Sequence, residues 1–320
     1  MQRREFIAGL AGAVVATRAA AEDYPSHPVR ILVPYSAGGT SDTASRLIVD
    51  ALAKQLGQSV YVEDRAGAGG LNATEALFNL APDGYTLLLT GAGPVAIIPP
   101  VKSVNYDVEK DMVPLGSIWR SPQVLATSTK LGVTSMADFI ARAKANPGGI
   151  TIGSAGIGAL THLSIELLQY KTGIALTHVP FRSTGGTLPA LIGGQIDATF
   201  GDVALLAPHV EERSIVALAI AAEHRSPLLP GLVTMREAGV PGVEVENWYG
   251  LVVSSRTAAP IVARLKAAVL AAQNDAAYRA NLERQGVTAG EPAADSFGRL
   301  IKSEIAKWAP VVRMPGFRLD

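Results

Sequence analysis

Short, almost purely apolar runs alternate with longer segments of helical periodicity along nearly the whole chain, and no other feature restricts its fold as tightly. Val29–Pro34 reads as a buried strand. Ser41–Leu56 reads as an amphipathic helix with Ala44, Leu47, Ile48, Ala51 and Leu52 on one face. A strand at Ser59–Glu63, a helix at Ala73–Leu80 and a strand at Tyr85–Leu89 follow. The pattern resumes with a strand at Gly149–Gly153, a helix at Thr161–Lys171, a strand at Thr177–Val179, a helix at Thr187–Ile192 and a strand at Ala198–Phe200. A β-α-β-α order needs crossover connections, which predicts parallel sheets with helices on both faces.

The order breaks at two places. Ser117–Thr127 is a long mixed stretch leading into the second series, and Asn247–Ser254 is extended after a loop rich in Pro and Gly. Two helices close the chain, Ala259–Asn274 and Ser296–Val312. The expected fold is therefore α/β and two-lobed, like that of periplasmic binding proteins. Each lobe is a mainly parallel sheet flanked by helices, and two crossing segments join them. Lobe one is expected at 22–122 plus 251–320, and lobe two at 123–250.

Residues 1–21 form an export signal, with Arg3 and Arg4 first, an apolar stretch from Phe6 to Ala16, and Ala19-Ala20-Ala21 as the cleavage site. Arg3-Arg4 before Glu5-Phe6-Ile7 also resembles a twin-arginine signal. The mature chain should start near Glu22 and work outside the cytoplasm without stable insertion in a membrane. With 28 basic and 28 acidic residues it offers no electrostatic footprint for nucleic acid. It contains no cysteine, which excludes disulfides, thiolate nucleophiles, cysteine zinc sites and iron–sulfur clusters.

In open parallel sheets ligands bind at the C-terminal ends of strands. Six loops sit there: Tyr35–Asp42, Arg65–Gly70, Thr90–Gly93, Ser154–Thr161, Arg182–Gly186 and Gly201-Asp202. All but the last are rich in Gly, Ser or Thr. Glycine lets a ligand approach the backbone, and free N–H groups at a helix start favour an anion. Ser36, Thr40, Ser154 and Thr161 supply hydroxyls. Each loop taken singly could be no more than a tight strand–helix turn; together they point to a small carboxylate clasped between two surfaces. The residues expected to line it are Tyr35, Ser36, Gly38, Gly39, Thr40, Ala68 and Thr90 on one side. On the other stand Ser154, Ala155, Gly156, Gly158, Thr161, Arg182, Ser183, Thr184 and Asp202. A bulky residue at Gly39 is expected to block backbone approach by the ligand.

Enzyme motifs are not found. Gly67-Ala68-Gly69 and Gly156-Ile157-Gly158 begin like dinucleotide fingerprints, but Asn72 and Thr161 stand where the third glycine belongs. There is no P-loop, no G-x-S-x-G elbow and no H-E-x-x-H. His162 and Glu166, four apart on one helix, could share a metal, or His162 could orient the Ser154–Gly158 loop. Glu211-Glu212 and Asp107–Asp111 read as solvated faces. Trp248-Tyr249 either packs between lobes or covers the ligand. No cofactor is expected.

Several short motifs run in collinear order through the chain. They include Pro28-Val29-Arg30, Val33-Pro34-Tyr35, Gly38-Gly39, Glu63-Asp64-Arg65, Gly67-Ala68-Gly69-Gly70 and Pro82-Asp83-Gly84-Tyr85-Thr86-Leu87-Leu88. Gly153–Gly158 with His162-Leu163, His178-Val179-Pro180-Phe181, Gly193-Gly194-Gln195-Ile196-Asp197, Glu237–Gly242 and Trp248-Tyr249-Gly250 continue the series. This pattern resembles the Bug proteins, periplasmic solute-binding receptors of tripartite tricarboxylate transporters. The resemblance implies a hinge-closing receptor that delivers a small carboxylate to integral-membrane carrier subunits, and the chain is expected to be a monomer. It implies that the loops Tyr35–Thr40 and Ser154–Thr161 hold the carboxylate, while Ser183, Thr184 and Asp202 shape the far side. The sequence departs from the family pattern at Ala37, Ala66 and Arg182–Gly186, and Arg182 hints at a second acidic group on the ligand. Two other classes stay open: a carboxylate sensor serving a membrane partner, and a periplasmic α/β enzyme using Asp42, His162 or Asp202.

Overall fold

Val29–Val33 (β1) is buried at four of its five positions and Thr86–Thr90 (β3) at all five, so both strands need cover on two faces. The computed structural model describes residues 24–293 and 295–313, and the expected signal at 1–21 lies outside them. Between β1 and β3 the chain forms α1 (Thr40–Leu56), β2 (Val60–Asp64) and α2 (Leu71–Asn79). It then enters β4 (Met112–Ser128), α3 (Met136–Ala145), β5 (Thr151–Ser154), α4 (Leu160–Thr172), β6 (Thr177–Pro180) and α5 (Thr184–Ile192). The chain continues through β7 (Ala198–Asp202), α6 (Val203–Glu211), β8 (Ile215–Ala221) and β9 (Glu246–Ser254). It closes with α7 (Ala259–Gln273), α8 (Ala276–Arg284) and α9 (Ser296–Val312).

Among the described residues the strands join in the order β2-β1-β3-β9-β4-β7-β5-β6, with β8 also paired to β4. β2-β1-β3 and β6-β5-β7 are parallel, as crossover connections require. β9 and β4 run antiparallel to each other and to their neighbours β3 and β7. The fold is α/β and two-lobed as expected, with one difference in detail. The mixed stretch Ser117–Thr127 belongs to a single strand of 17 residues. Its first part, Met112–Pro122, pairs with β9, and Gln123–Ser128 pairs with β7 and β8. Pro114 and Pro122 blur the pattern because neither can donate to a ladder. Pro114 stands at a register shift and Pro122 where β4 leaves its first partner, positions that tolerate proline.

Four further elements were not foreseen, α3, α8, α6 and β8. The first two carry clear caps: Ser135 Oγ accepts from Asp138 N, and Asp275 Oδ1 from Ala277 N and Tyr278 N. Asp107 likewise caps a one-turn helix at Val108–Asp111 rather than standing on a merely solvated face.

The C-terminal helices return to the first parallel group, α7 onto α1 and α9 onto the Gly93–Ile97 turn. One carboxylate fixes the second contact. Glu304 is buried and its Oε2 accepts from Trp248 Nε1 at 3.0 Å and from Trp308 Nε1 at 2.7 Å. Gly250 gives Phe297 room beside them, since a β-carbon there would lie 2.2 Å from the ring. Glu304→Ala strands two buried indole donors and should lower unfolding free energy by about 2–4 kcal/mol in urea titration, while Glu304→Gln keeps most of it. An unchanged midpoint for Glu304→Ala would show that the pair is not structural.

Candidate functional site

The C-terminal ends of β1 and β3 face those of β5, β6 and β7, because the two parallel groups meet through the antiparallel pair β9-β4. Between the facing loops lies a narrow cleft. Tyr35, Ala92 and Gly93 wall it on one side and Ala155, Ala159, Leu160, Thr161 and Thr184 on the other, with Gln123, Asn247 and Tyr249 of the crossing strands between them. A more open pocket adjoins it, shares Tyr35 and Ala155, and extends along Gly67–Gly69, Gly156, Ile157, Phe181 and Arg182.

The structure thus brings Tyr35, Ala155, Thr161 and Thr184 to the inner cleft, and Ala68, Gly156 and Arg182 to the outer pocket. The other residues expected at the site stand behind these walls. Ser36 N donates to Arg182 O at 3.4 Å, linking the two sides directly. Gly38 N donates to Asp42 Oδ2 at 2.9 Å and closes the start of α1. Gly39 stands close to the opposed loop, since a β-carbon there would sit 3.1 Å from Ser183 Cβ. Thr90 is fully buried in the ladder with β9.

Close backbone approach recurs along this seam. A β-carbon on Gly185 would lie 2.5 Å from Gly38 O, one on Gly69 2.4 Å from Ile157 O, and one on Gly93 2.6 Å from Gly69 O. Gly69 also has φ +62°, which an L side chain rarely adopts.

A hydrogen-bonded network shapes the loop after β5. Ser154 Oγ lies 2.6 Å from His178 Nε2 and accepts from Gly156 N at 3.1 Å. Thr161 Oγ1 accepts from Ala155 N at 2.8 Å, and His162 Nδ1 from Gly158 N at 3.2 Å. His162 therefore does orient this loop. The two imidazoles stack with centroids 4.2 Å apart. Burial, helped by His178, pushes His162 down to about 4, and burial lowers His178 as well. Both rings are neutral near pH 7, and His162 carries its proton on Nε2, 3.7 Å from Glu166 Oε1. No group of three His, Asp or Glu side chains among the described residues could hold a metal.

Asp202, fully buried at the start of α6, lies beneath the cleft. Burial raises its carboxyl to about 6, while Thr40, Asn247 and Ser121 favour the anion. Asn247 Nδ2 donates to Asp202 Oδ2 at 2.9 Å. Tyr249 packs edge-on to Tyr35 at 6.5 Å, and burial drives its hydroxyl far above the usual phenol range. Trp248 and Tyr249 divide the roles between which the sequence left them: Trp248 packs against Phe297 and Glu304, and Tyr249 faces the cleft. Gln123 and Asn247 escaped sequence reading. The one signal for either is a lone amide inside an otherwise apolar strand, Gln123 before Val124-Leu125-Ala126 and Asn247 before Trp248-Tyr249.

Residues 44–317 match the family described as "Tripartite tricarboxylate transporter family receptor". Protein BugT of Bordetella pertussis is 33% identical over 312 residues, 97% of this chain and 96% of that protein. MatC from Rhodopseudomonas palustris with bound malate superposes with a TM-score of 0.86 at 32% identity, covering 91% of this chain and 100% of that one. R. palustris Rpa4515 with adipate gives a TM-score of 0.84 at 32% identity, covering 91% and 98%. Fold, strand-end cleft and sequence agree, and the chain belongs to the receptor family of tripartite tricarboxylate transporters.

Proposed function

We propose that the protein captures a small organic carboxylate in the cleft between its lobes and presents it to integral-membrane carrier subunits. The observation that carries this reading is the wall of the inner cleft. Its polar groups are backbone and hydroxyl groups from opposed strand-end loops and amides from the crossing strands, with no Lys or Arg among its described lining residues. Dipoles fixed in this way suit an anion that must also be released. MatC with malate and Rpa4515 with adipate support the ligand class.

Capture works by closure. A ligand touching both walls favours the arrangement in which they meet, through its differential affinity for that state. The proposed lobes are 22–122 with 251–320, and 123–250. The exchange of partners along β4 between Pro122 and Gln123 supports the boundary at 122/123, while all of β9 pairs with the first part of β4. Export to the periplasm through residues 1–21, whose Arg3-Arg4 start resembles a twin-arginine signal, and action as a monomer belong to the same proposal. Among the described residues no helix is long and apolar enough to cross a membrane.

A thermal-shift screen of the mature chain tests the ligand class. A carboxylate at a hundred times its Kd should add about 2.7 kcal/mol of stability, and sugars should add none. A response confined to a non-carboxylate class overturns the reading. Closure predicts that Gly185→Val, whose β-carbon meets Gly38 O, leaves the fold intact but weakens ligand binding at least about tenfold in calorimetry. Unchanged affinity would show that the seam does not have to close.

A further inference from the structure

The cleft holds one side chain whose hydrogen-bonding polarity the protein itself has fixed. Asn247 lies in β9, opposite Ser121 of β4, so both strands hold its backbone in register. Its amide has a donor end and an acceptor end. An ionised carboxylate can only accept, so the contact at 2.9 Å with Asp202 Oδ2 commits Nδ2. Asn247 lines the cleft, and among the described residues no hydrogen bond takes up its Oδ1. The end left for a ligand is an acceptor.

The neighbouring groups have the opposite character. Thr161 Oγ1 accepts from Ala155 N, which leaves its own proton to donate into the cleft, and the Thr184 hydroxyl stands on the same wall. A carboxylate satisfies donors of this kind but places only oxygen lone pairs against Asn247 Oδ1. An acceptor left unpaired as the cleft closes loses its water without replacement.

On the carboxylate reading above, we propose that Asn247, oriented by Asp202, selects carboxylates that also carry a hydrogen-bond donor, a hydroxyl or an ammonium group, over their unsubstituted counterparts. Asn247 is the specificity-determining residue and Asp202 a positioning residue. A site built to pair a ligand donor discriminates against analogues lacking it, and a preference of at least about tenfold is expected.

Isothermal titration calorimetry on the mature chain tests this with matched series: propionate, lactate and alanine; succinate, malate and aspartate; glutarate, 2-hydroxyglutarate and glutamate. In at least one series a donor-bearing member should bind tenfold or more tightly than the unsubstituted acid, and the hydroxyl and amino arms tell the two donor types apart. Asn247→Leu should reduce that ratio to below about threefold, and Asp202→Asn should reduce it as well, because a neutral amide partner no longer dictates which end of Asn247 faces the ligand. The wild-type ratios decide the matter even if a variant fails to fold. Binding of substituted and unsubstituted acids within threefold of each other in every series overturns the inference and leaves the carboxylate reading standing. A preference that survives folded Asn247→Leu overturns the assignment to Asn247. Failure of every acid in all three series overturns the carboxylate reading and this inference with it.

Discussion

Two stretches of backbone can touch only where neither carries a β-carbon in the way, and the site rests on that geometric condition. Gly69, Gly93 and Gly185 each stand where a methyl group would fall within 2.6 Å of a main-chain oxygen of another loop. Glycine is costly in free chain entropy, so a seam of this kind is a standing expense of stability. What it provides is a joint between opposed loops made largely of peptide groups. Such groups are rigid, polar and uncharged, and they meet in the same way whichever small ligand lies beside them.

The electrostatics follow the same economy of charge. The one carboxylate beneath the cleft, Asp202, is fully buried, and neutral groups on Thr40, Ser121 and Asn247 face it instead of a cation. The two imidazoles behind the opposite wall are held neutral by burial. Near neutral pH no described residue lining the inner cleft carries a positive charge. Arg182, at the outer pocket, is exposed and contributes its carbonyl to the contact with Ser36. This arrangement suits a receptor that must give up its cargo, since the attractions of the inner cleft are dipoles.

The parallel parts of the fold were legible because a strand buried on both faces must be apolar throughout, as in Thr86–Thr90, and because α1 shows its buried stripe in the spacing of Ala44, Ile48, Ala51 and Leu52. The loops of the site were legible for a related reason: a strand end followed by glycine and a hydroxyl residue is a local signal. β4 was harder, since its two prolines and its change of partners are explained only by strands distant in sequence. Gln123 and Asn247 were illegible for the same cause. A polar residue in a strand becomes a site residue only when another strand places it at a cleft, and one sequence does not state that pairing. At Gly39 the sequence cannot name the neighbour, because glycine requirements look alike whether that neighbour is a ligand or Ser183.

The position of β9 in the sheet bears on how the chain comes to be folded. Its residues, Glu246–Ser254, lie late in the sequence yet sit between β3 and β4 at the middle of the sheet, and the helix that covers this region ends at Val312. The first half therefore cannot be finished as it is made. The early strands β1 to β3 wait, with one edge unpaired, for a segment synthesised more than 150 residues after them. Long-range pairing of this kind makes folding slow and leaves an exposed strand edge in the interval. A growing chain holds only fragments of that half, and its sheet closes late, once nearly all of the chain is free.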